Sequence, residues 1–257
     1  MTGDGRRARL EARGVTVRFG GLAALSDASV DVRAGEVVGL IGPNGAGKTT
    51  LFDVICGLRA PDAGSVVLEG ADITGRSVHR RARLGIARTF QKLEVFGNLS
   101  AVDNVRVAVE MRRRWDRSPM RPLAEAAAVL ERVGIAAVAG EAVAGLPTGT
   151  ARLVELARAL ATNPRVLLLD EPSSGLDDSE TSEVAGLVRS LCDDGLAVLL
   201  VEHDMSFVMD ICERIFVLDF GRIIAEGSPQ DVRVDPAVQA AYLGTEAAPM
   251  NGHRQAP

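Results

Sequence analysis

The nine residues Gly42-Pro43-Asn44-Gly45-Ala46-Gly47-Lys48-Thr49-Thr50 restrict what this chain can fold into more than any other segment. Before them, Glu36-Val37-Val38-Gly39-Leu40-Ile41 reads as a buried strand; after them, Thr50-Leu51-Phe52-Asp53-Val54-Ile55 reads as the opening of a helix. A glycine-rich turn held between strand and helix solves one physical problem, which is to lay a polyphosphate against bare backbone. Glycines at 42, 45 and 47 let successive N–H groups point inward at phosphate oxygens, and the positive end of the helix dipole adds to them. Lys48 is placed to reach the β- and γ-phosphates. The Thr49 hydroxyl is placed to bind a Mg²⁺ ion, which neutralises charge that a loop of amides cannot. A nucleotide with Mg²⁺ is therefore the first expectation; a glycine-rich turn beside a surface lysine would not need both flanks.

With 257 residues the chain can bury a substantial core, as one large domain or a domain with a subdomain. Hydrophobic residues make up 47% and aromatics only 4%, so Val, Leu, Ile and Ala must fill the interior, as in covered parallel sheets. An α/β fold follows. Short strands are expected at 14–19, 28–32, 36–41 and 65–70, with a turn at Ala60-Pro61-Asp62-Ala63-Gly64. From about 102 to 160, Ala, Leu, Val and Arg recur at helical spacing, which predicts a helical subdomain interrupting the sheet. Strand signals return at 166–169 and 197–201 around a helix of about 180–192, a β-α-β crossover. A hairpin follows at 214–225 with its turn at Phe220-Gly221.

Residues 1–10 are expected as an N-terminal tail, 11–245 as the domain with the helical insertion over about 92–160, and 246–257 as a disordered tail. The net charge of −5 gives no global field for nucleic acid. Cys56, Cys192 and Cys212 lie far apart without metal-ligand spacing and fit reduced thiols in a cytoplasm. The polar, basic N-terminus does not read as a secretory signal, and no segment approaches the roughly 20 apolar residues of a spanning helix. At a membrane, such a chain would have to dock onto another.

Four apolar residues, Val166-Leu167-Leu168-Leu169, run into Asp170-Glu171, placing two carboxylates at the end of a buried strand parallel to the one feeding the phosphate loop. Asp170 is placed to bind Mg²⁺ directly or through its water, and Glu171 to face the water that attacks the γ-phosphate. A helix N-terminal acidic cap is the bland reading of such a pair, but the apolar run and the loop upstream speak against it. The strand at 197–201 ends in Glu202-His203-Asp204. A lone histidine is usually structural or solvated. At a strand end in such a fold, His203 would instead contact the γ-phosphate and help hold Glu171 and the water.

Together with Gln91, in Ala87-Arg88-Thr89-Phe90-Gln91, and Ser174-Gly175-Leu176-Asp177 after the acidic pair, these residues resemble the ATP-binding subunits of ABC transporters over nearly the whole chain. The resemblance implies a P-loop NTPase (RecA-like) core with an antiparallel β subdomain and an inserted α-helical subdomain, and hydrolysis of ATP with Mg²⁺. It assigns Gln91 to Mg²⁺ and the attacking water, Asp177 to communication across a dimer, and Phe19 to stacking on adenine. For Phe19 alone, a core or strand-surface role is the better reading. At a finer level, Gly85–Gln91, Val201-Glu202-His203-Asp204-Met205 and Ala241-Tyr242-Leu243-Gly244 look like the ATPase subunits of bacterial branched-chain amino acid importers; relatives for urea and the lipopolysaccharide exporter ATPase are similar too. The partners implied are a second ATPase subunit, two transmembrane permease subunits and, indirectly, a substrate-binding protein, with no nucleic acid. The location implied is peripheral, at the cytoplasmic face of the membrane. Leu93, Val95 and Phe96 fall where the resemblance places the groove for a permease helix, with subdomain core an equal reading for the first two. Arg112-Arg113-Arg114 with Arg117 and Arg121 reads as a solvated run, or as one lying near anionic headgroups.

One departure stands out. The family's signature, Leu-Ser-x-Gly-Gln, binds the γ-phosphate held by the opposite subunit of a head-to-tail dimer; the aligned residues are Leu146-Pro147-Thr148-Gly149-Thr150, with the register set by Arg152 and Glu155–Leu160. Pro147 supplies neither a hydroxyl nor an N–H, though proline is tolerated in a helix's first turn. Thr150 replaces a longer amide, while Gly149 still permits close approach and Thr148 offers a substitute hydroxyl. Each charge-assisted hydrogen bond lost to phosphate costs about 1.5–3 kcal/mol, roughly ten- to hundredfold in equilibrium. The expectation is a heterodimer with an ordinary partner; tolerated substitutions in a fully active site are the competing reading. Two other classes stay in view: a non-transport ABC ATPase, which the length disfavours, and a hydrolysis-poor regulatory protein, which Glu171 and His203 disfavour.

Overall fold

Val37–Ile41, Val166–Asp170 and Ala197–Val201 are each buried along their whole length. Strands apolar on both faces require a sheet covered on both sides. The computed structural model describes residues 7–116, 119 and 121–246, with backbone alone for 243–246. In chain order the elements are β1 (Ala8–Phe19), β2 (Leu22–Arg33), β3 (Val37–Ile41), α1 (Lys48–Cys56), β4 (Ala63–Leu68), β5 (Ala71–Asp72), α2 (Val78–Arg83) and β6 (Ile86–Arg88). Next come α3 (Ala101–Arg113), α4 (Pro122–Arg132), two short 3-10 turns and α5 (Thr148–Ala161). The chain continues through β7 (Val166–Asp170), α6 (Asp178–Asp193), β8 (Ala197–Val201), α7 (Met205–Ile211), β9 (Arg214–Asp219), β10 (Arg222–Gly227), α8 (Pro229–Val234) and α9 (Pro236–Glu246).

Six strands form one sheet in the order β10-β9-β3-β8-β7-β6, parallel apart from the β9–β10 hairpin. Four form an antiparallel sheet, β2-β1-β4-β5. The side-chain alternation of a strand divides the interior in two. Val38 and Leu40 of β3 join α1 and the antiparallel sheet in one core, while Val37 and Ile41 join the helices on the other face. The inserted helices pack through small and branched residues: Val105 and Val109 of α3, Ala126 and Leu130 of α4, Val154 and Ala157 of α5. Ser100 caps α3 by accepting from the Asp103 N–H at 3.2 Å.

The structure differs from the sequence expectation in several places. β1 takes up residues 8–10 of the expected tail, because Ala8 pairs with Arg33 and Leu10 with Val32, and Leu10 is fully buried; a window on 1–10 does not show the partner strand. β6 and α2 are too short to carry a period, and β6 exists because β7 offers it an edge at Ile86–Val166. The strand of the two carboxylates runs parallel to β3, as expected, with β8 between them. The helices α8 and α9 carry the fold on to Glu246. Residues 1–6 and 247–257 of the expected tails, and Arg117 of the arginine run, lie outside the described residues. Arg112 is not simply solvated, since it pairs with Glu125 and Asp116. Among the described residues, no helix is long and apolar enough to cross a membrane.

Candidate functional site

The loop from Gly42 to Gly47 leaves β3 and enters α1 at Lys48. Gly42 has φ 151°, and a Cβ there would lie 1.9 Å from the Leu218 carbonyl oxygen; at Gly47, φ 111°, it would lie 2.6 Å from that of Ala24. A side chain fits at neither. At Gly45 a Cβ would meet open space, so only its left-handed φ of 81° favours glycine. The Ala46 N–H donates to Pro43 O at 3.1 Å, Asn44 is exposed, and Thr49 and Thr50 occupy the first turn of α1. Gly47 caps α1 without a side chain, a helix start suited to accepting a ligand's anion instead. Lys48 Nζ donates to Gly42 O at 2.5 Å and Pro43 O at 3.0 Å. Burial lowers its pKa, and the charges of Glu171 and Asp170 oppose that shift.

Asp170, buried at the end of β7, accepts from Arg88 Nη2 at 2.7 Å through Oδ2, and its N–H donates to Thr89 Oγ1 at 3.3 Å. Glu171 is held in a left-handed backbone, φ 50°, by its N–H donating to Val201 O at 2.8 Å. Strain at a non-glycine residue persists only where its surroundings enforce it. The Glu171 carboxylate accepts from Gln91 Nε2 at 3.0 Å and lies 3.9 Å from His203 Nδ1. The imidazole is 68% exposed, and its backbone N–H donates to Glu202 Oε2 at 3.0 Å. Glu202 is fully buried and accepts from the Ser173 N–H at 2.8 Å and Ser173 Oγ at 2.6 Å, tying the ends of β7 and β8 together.

The segment around Gln91 is fastened to α5. Arg152 donates to Phe90 O at 3.0 Å and Gln91 O at 2.7 Å; Arg158 donates to Glu94 O; buried Glu155 accepts from the N–H groups of Phe90 at 3.3 Å and Glu94 at 3.4 Å. Burial raises the Glu155 pKa, against those N–H groups and Arg152. At the start of α5, Pro147 is the N-cap, φ −54°, one place before the first turn in which the sequence put it. Thr148, Gly149 and Thr150 follow as the first helical residues, and Leu146 packs half-buried on the core. A Cβ at Gly149 would sit 2.3 Å from Glu180 Oε1, and one at Gly175 would touch Thr148 Cγ2 at 3.8 Å. The segments 146–150 and 174–177 are thus brought together within one chain. Asp177 caps α6, accepting from the Glu180 N–H at 2.8 Å, Leu176 packs on the core, and the Ser174 N–H donates to Glu171 O at 3.1 Å.

Phe19 is 49% exposed, which removes the core reading, and the Arg59 guanidinium lies 3.7 Å from its ring centroid. Leu93 and Val95 pack on the core, whereas Phe96 lines a 340 Å³ groove with Leu58, Val78, Met111 and Trp115. The sequence gives Arg88, Asp53 and Glu202 no role of their own, and Arg152 and Glu155 enter there only as markers of the signature's register, not as the groups that fasten the Gln91 segment. Tyr242 of α9 accepts a hydrogen bond from the Gly42 backbone, which lowers its pKa against the larger, raising effect of burial.

Thr49, Gln91 and Asp170 offer a hydroxyl, an amide and a carboxylate, oxygen donors that suit Mg²⁺. Among the described residues no cluster of three or more Asp, Glu, His or Cys groups forms a metal site by itself. An ion here would complete its shell with phosphate oxygens and water, as Mg²⁺ commonly does.

A glycine cradle between a parallel strand and a helix, faced by two carboxylates on a strand of the same sheet, defines a P-loop NTPase. Residues 25–174 match the family described as ABC transporter, and residues 222–248 the one described as branched-chain amino acid ATP-binding cassette transporter. The chain belongs to the ATP-binding subunits of ABC transporters and is an ATPase. It is 39% identical to the high-affinity branched-chain amino acid transport ATP-binding protein BraF of Pseudomonas aeruginosa, over 91% of this chain and 97% of that one. It is 38% identical to the lipopolysaccharide export system ATP-binding protein LptB of Haemophilus influenzae, over 86% and 91%. A nucleotide-free ATP-binding cassette from an ABC transporter superposes with TM-score 0.83 at 28% identity, covering 92% of this chain and 99% of that one.

Proposed function

We propose that this chain powers an importer of branched-chain or other small polar amino acids or amides. It would sit peripherally at the cytoplasmic face of the membrane on two permease subunits, with a substrate-binding protein acting through them. The match over 222–248 carries the substrate reading, and the Phe96 groove is the surface offered to a permease helix. ATP would lie with its phosphates on the amides of 42–50 and on Lys48, and with adenine on Phe19, which is half-exposed. Thr49, Gln91 and Asp170 would hold Mg²⁺, which when bound neutralises charge on the β- and γ-phosphates. Glu171 would take the proton of the attacking water as the γ-phosphoryl passes from the ADP oxygen to the water oxygen, while Gln91 and His203 keep Glu171 and the water in place. The 3.0 Å contact of Gln91 with Glu171 supports this division of roles. With the permeases in proteoliposomes, binding protein loaded with leucine should stimulate ATP hydrolysis. Stimulation by no amino acid and no amide in a panel, with a solute of another class active instead, would overturn the substrate reading.

Hydrolysis would require a head-to-tail dimer in which Leu146–Thr150 closes over the partner's γ-phosphate and Ser174–Asp177 communicates between the sites. Pro147 at the N-cap gives α5 no side-chain cap and leaves that position no N–H. The contribution to the partner's nucleotide is weakened, while the chain's own phosphate loop keeps its parts. A heterodimer with an ordinary ATPase subunit keeps one composite site complete. Turnover of the purified chain alone is expected to be about ten- to hundredfold below that of its mixture with such a partner. Equal rates would show that Pro147 and Thr150 are tolerated.

A further inference from the structure

Arg88 ends β6 with its side chain only 6% exposed, and it divides its guanidinium between two acids. Nη1 donates to Asp53 of α1 at 2.6 Å and Nη2 to Asp170 of β7 at 2.7 Å. The group lies over Phe52, 5.3 Å from the ring centroid, and over Phe90, 5.0 Å, the residue before Gln91. Its Nε is buried without a hydrogen-bond partner. A guanidinium frequently grips one carboxylate with two parallel N–H bonds. Here that fork is given up for a split grip in which Asp170 receives a single bond on Oδ2, and no hydrogen bond to its Oδ1 occurs among the described residues.

We infer that Arg88 is a positioning residue for the cation site and that Asp53 sets how much of Arg88 reaches Asp170. This rests on the reading that Asp170 holds Mg²⁺. The Asp53 carboxylate draws one arm of the guanidinium off, and half of the Asp170 carboxylate stays open to a cation. Where position 53 carries no carboxylate, the fork can close on both oxygens and compete with the ion for them. The same residue stands between the helix of the phosphate loop and the strand leading to Gln91, so the carboxylate, the loop helix and the Gln91 segment share one charge.

The test is Asp53→Asn in the full chain, saturated with a non-hydrolysable ATP analogue and titrated with Mg²⁺ in a calorimeter, the nucleotide's own Mg²⁺ uptake being subtracted. Half-saturation is expected at about tenfold higher Mg²⁺ than in the wild type, with analogue affinity in EDTA unchanged. Arg88→Gln removes the competing charge and is expected to move half-saturation downward while turnover falls. The inference is overturned if Asp53→Asn titrates as the wild type, or if both variants shift in one direction together with loss of metal-free affinity, the mark of a purely structural bridge. Failure of the underlying reading looks different: the wild type itself would take up no Mg²⁺ at the nucleotide.

Discussion

Glu171→Gln should lower ATP turnover by about 10²- to 10⁴-fold, the usual contribution of a general base, while ATP binding persists. The side chain that replaces it is nearly isosteric and keeps an oxygen to accept from Gln91 Nε2, so the 3.0 Å contact survives. The left-handed backbone is held by Val201 O and does not depend on the carboxylate. What is lost is the carboxylate proposed to take the proton of the attacking water. ATP should accumulate in the closed dimer, which lengthens its lifetime. Single-turnover phosphate release, with size exclusion in the presence of ATP and the partner subunit, checks both statements. Turnover near the wild-type rate would move the base elsewhere, to His203 first.

Gly42→Ala should reduce nucleotide affinity by about a hundredfold or more, the value of two charge-assisted hydrogen bonds. The added carbon would stand 1.9 Å from Leu218 O at φ 151°. That oxygen belongs to β9, which is bonded to β3 and β10, so neither strand yields without breaking ladder bonds. Strain of about 1–3 kcal/mol, with a similar overpacking cost, is expected to lower Tm by several degrees at about 2–4 °C per kcal/mol. Gly45→Ala is the control. With nothing within 4 Å of its Cβ, it bears only the left-handed penalty of about 1–2 kcal/mol. Calorimetric ATP binding and a thermal melt on both variants test the difference; equal losses would mean that backbone conformation, not the Leu218 contact, governs the loop.

The parts of the site legible in the sequence are those whose meaning lies in spacing along the chain. The loop at 42–50 needs only its neighbours, and Asp170-Glu171 needs only the apolar run before it. The crossover from β7 through α6 to β8 was likewise legible, since each piece is long enough to show its own period. Short elements were not: β6 has three residues, and a strand of that length is defined by its partner. Phe19 could not be separated from a core aromatic until its exposure of 49% was known, and Leu93 and Val95 could not be assigned to groove or core until they were seen packed on the core.

By itself, the sequence determined the phosphate loop and the apolar strand ending in two carboxylates, local patterns whose physics is complete within a few residues. The histidine after β8, the altered signature and the P-loop class of fold were legible through the chain's longer pattern of elements and its resemblance to a family. Only the tertiary structure decided which cations share those carboxylates and what fastens Gln91. Arg88 meets Asp53 35 residues away and Asp170 82 residues away, and Arg152 reaches Gln91 across 61. Such pairs depend on sheet order and helix docking, and a charge in the sequence carries no mark of the partner that will neutralise it.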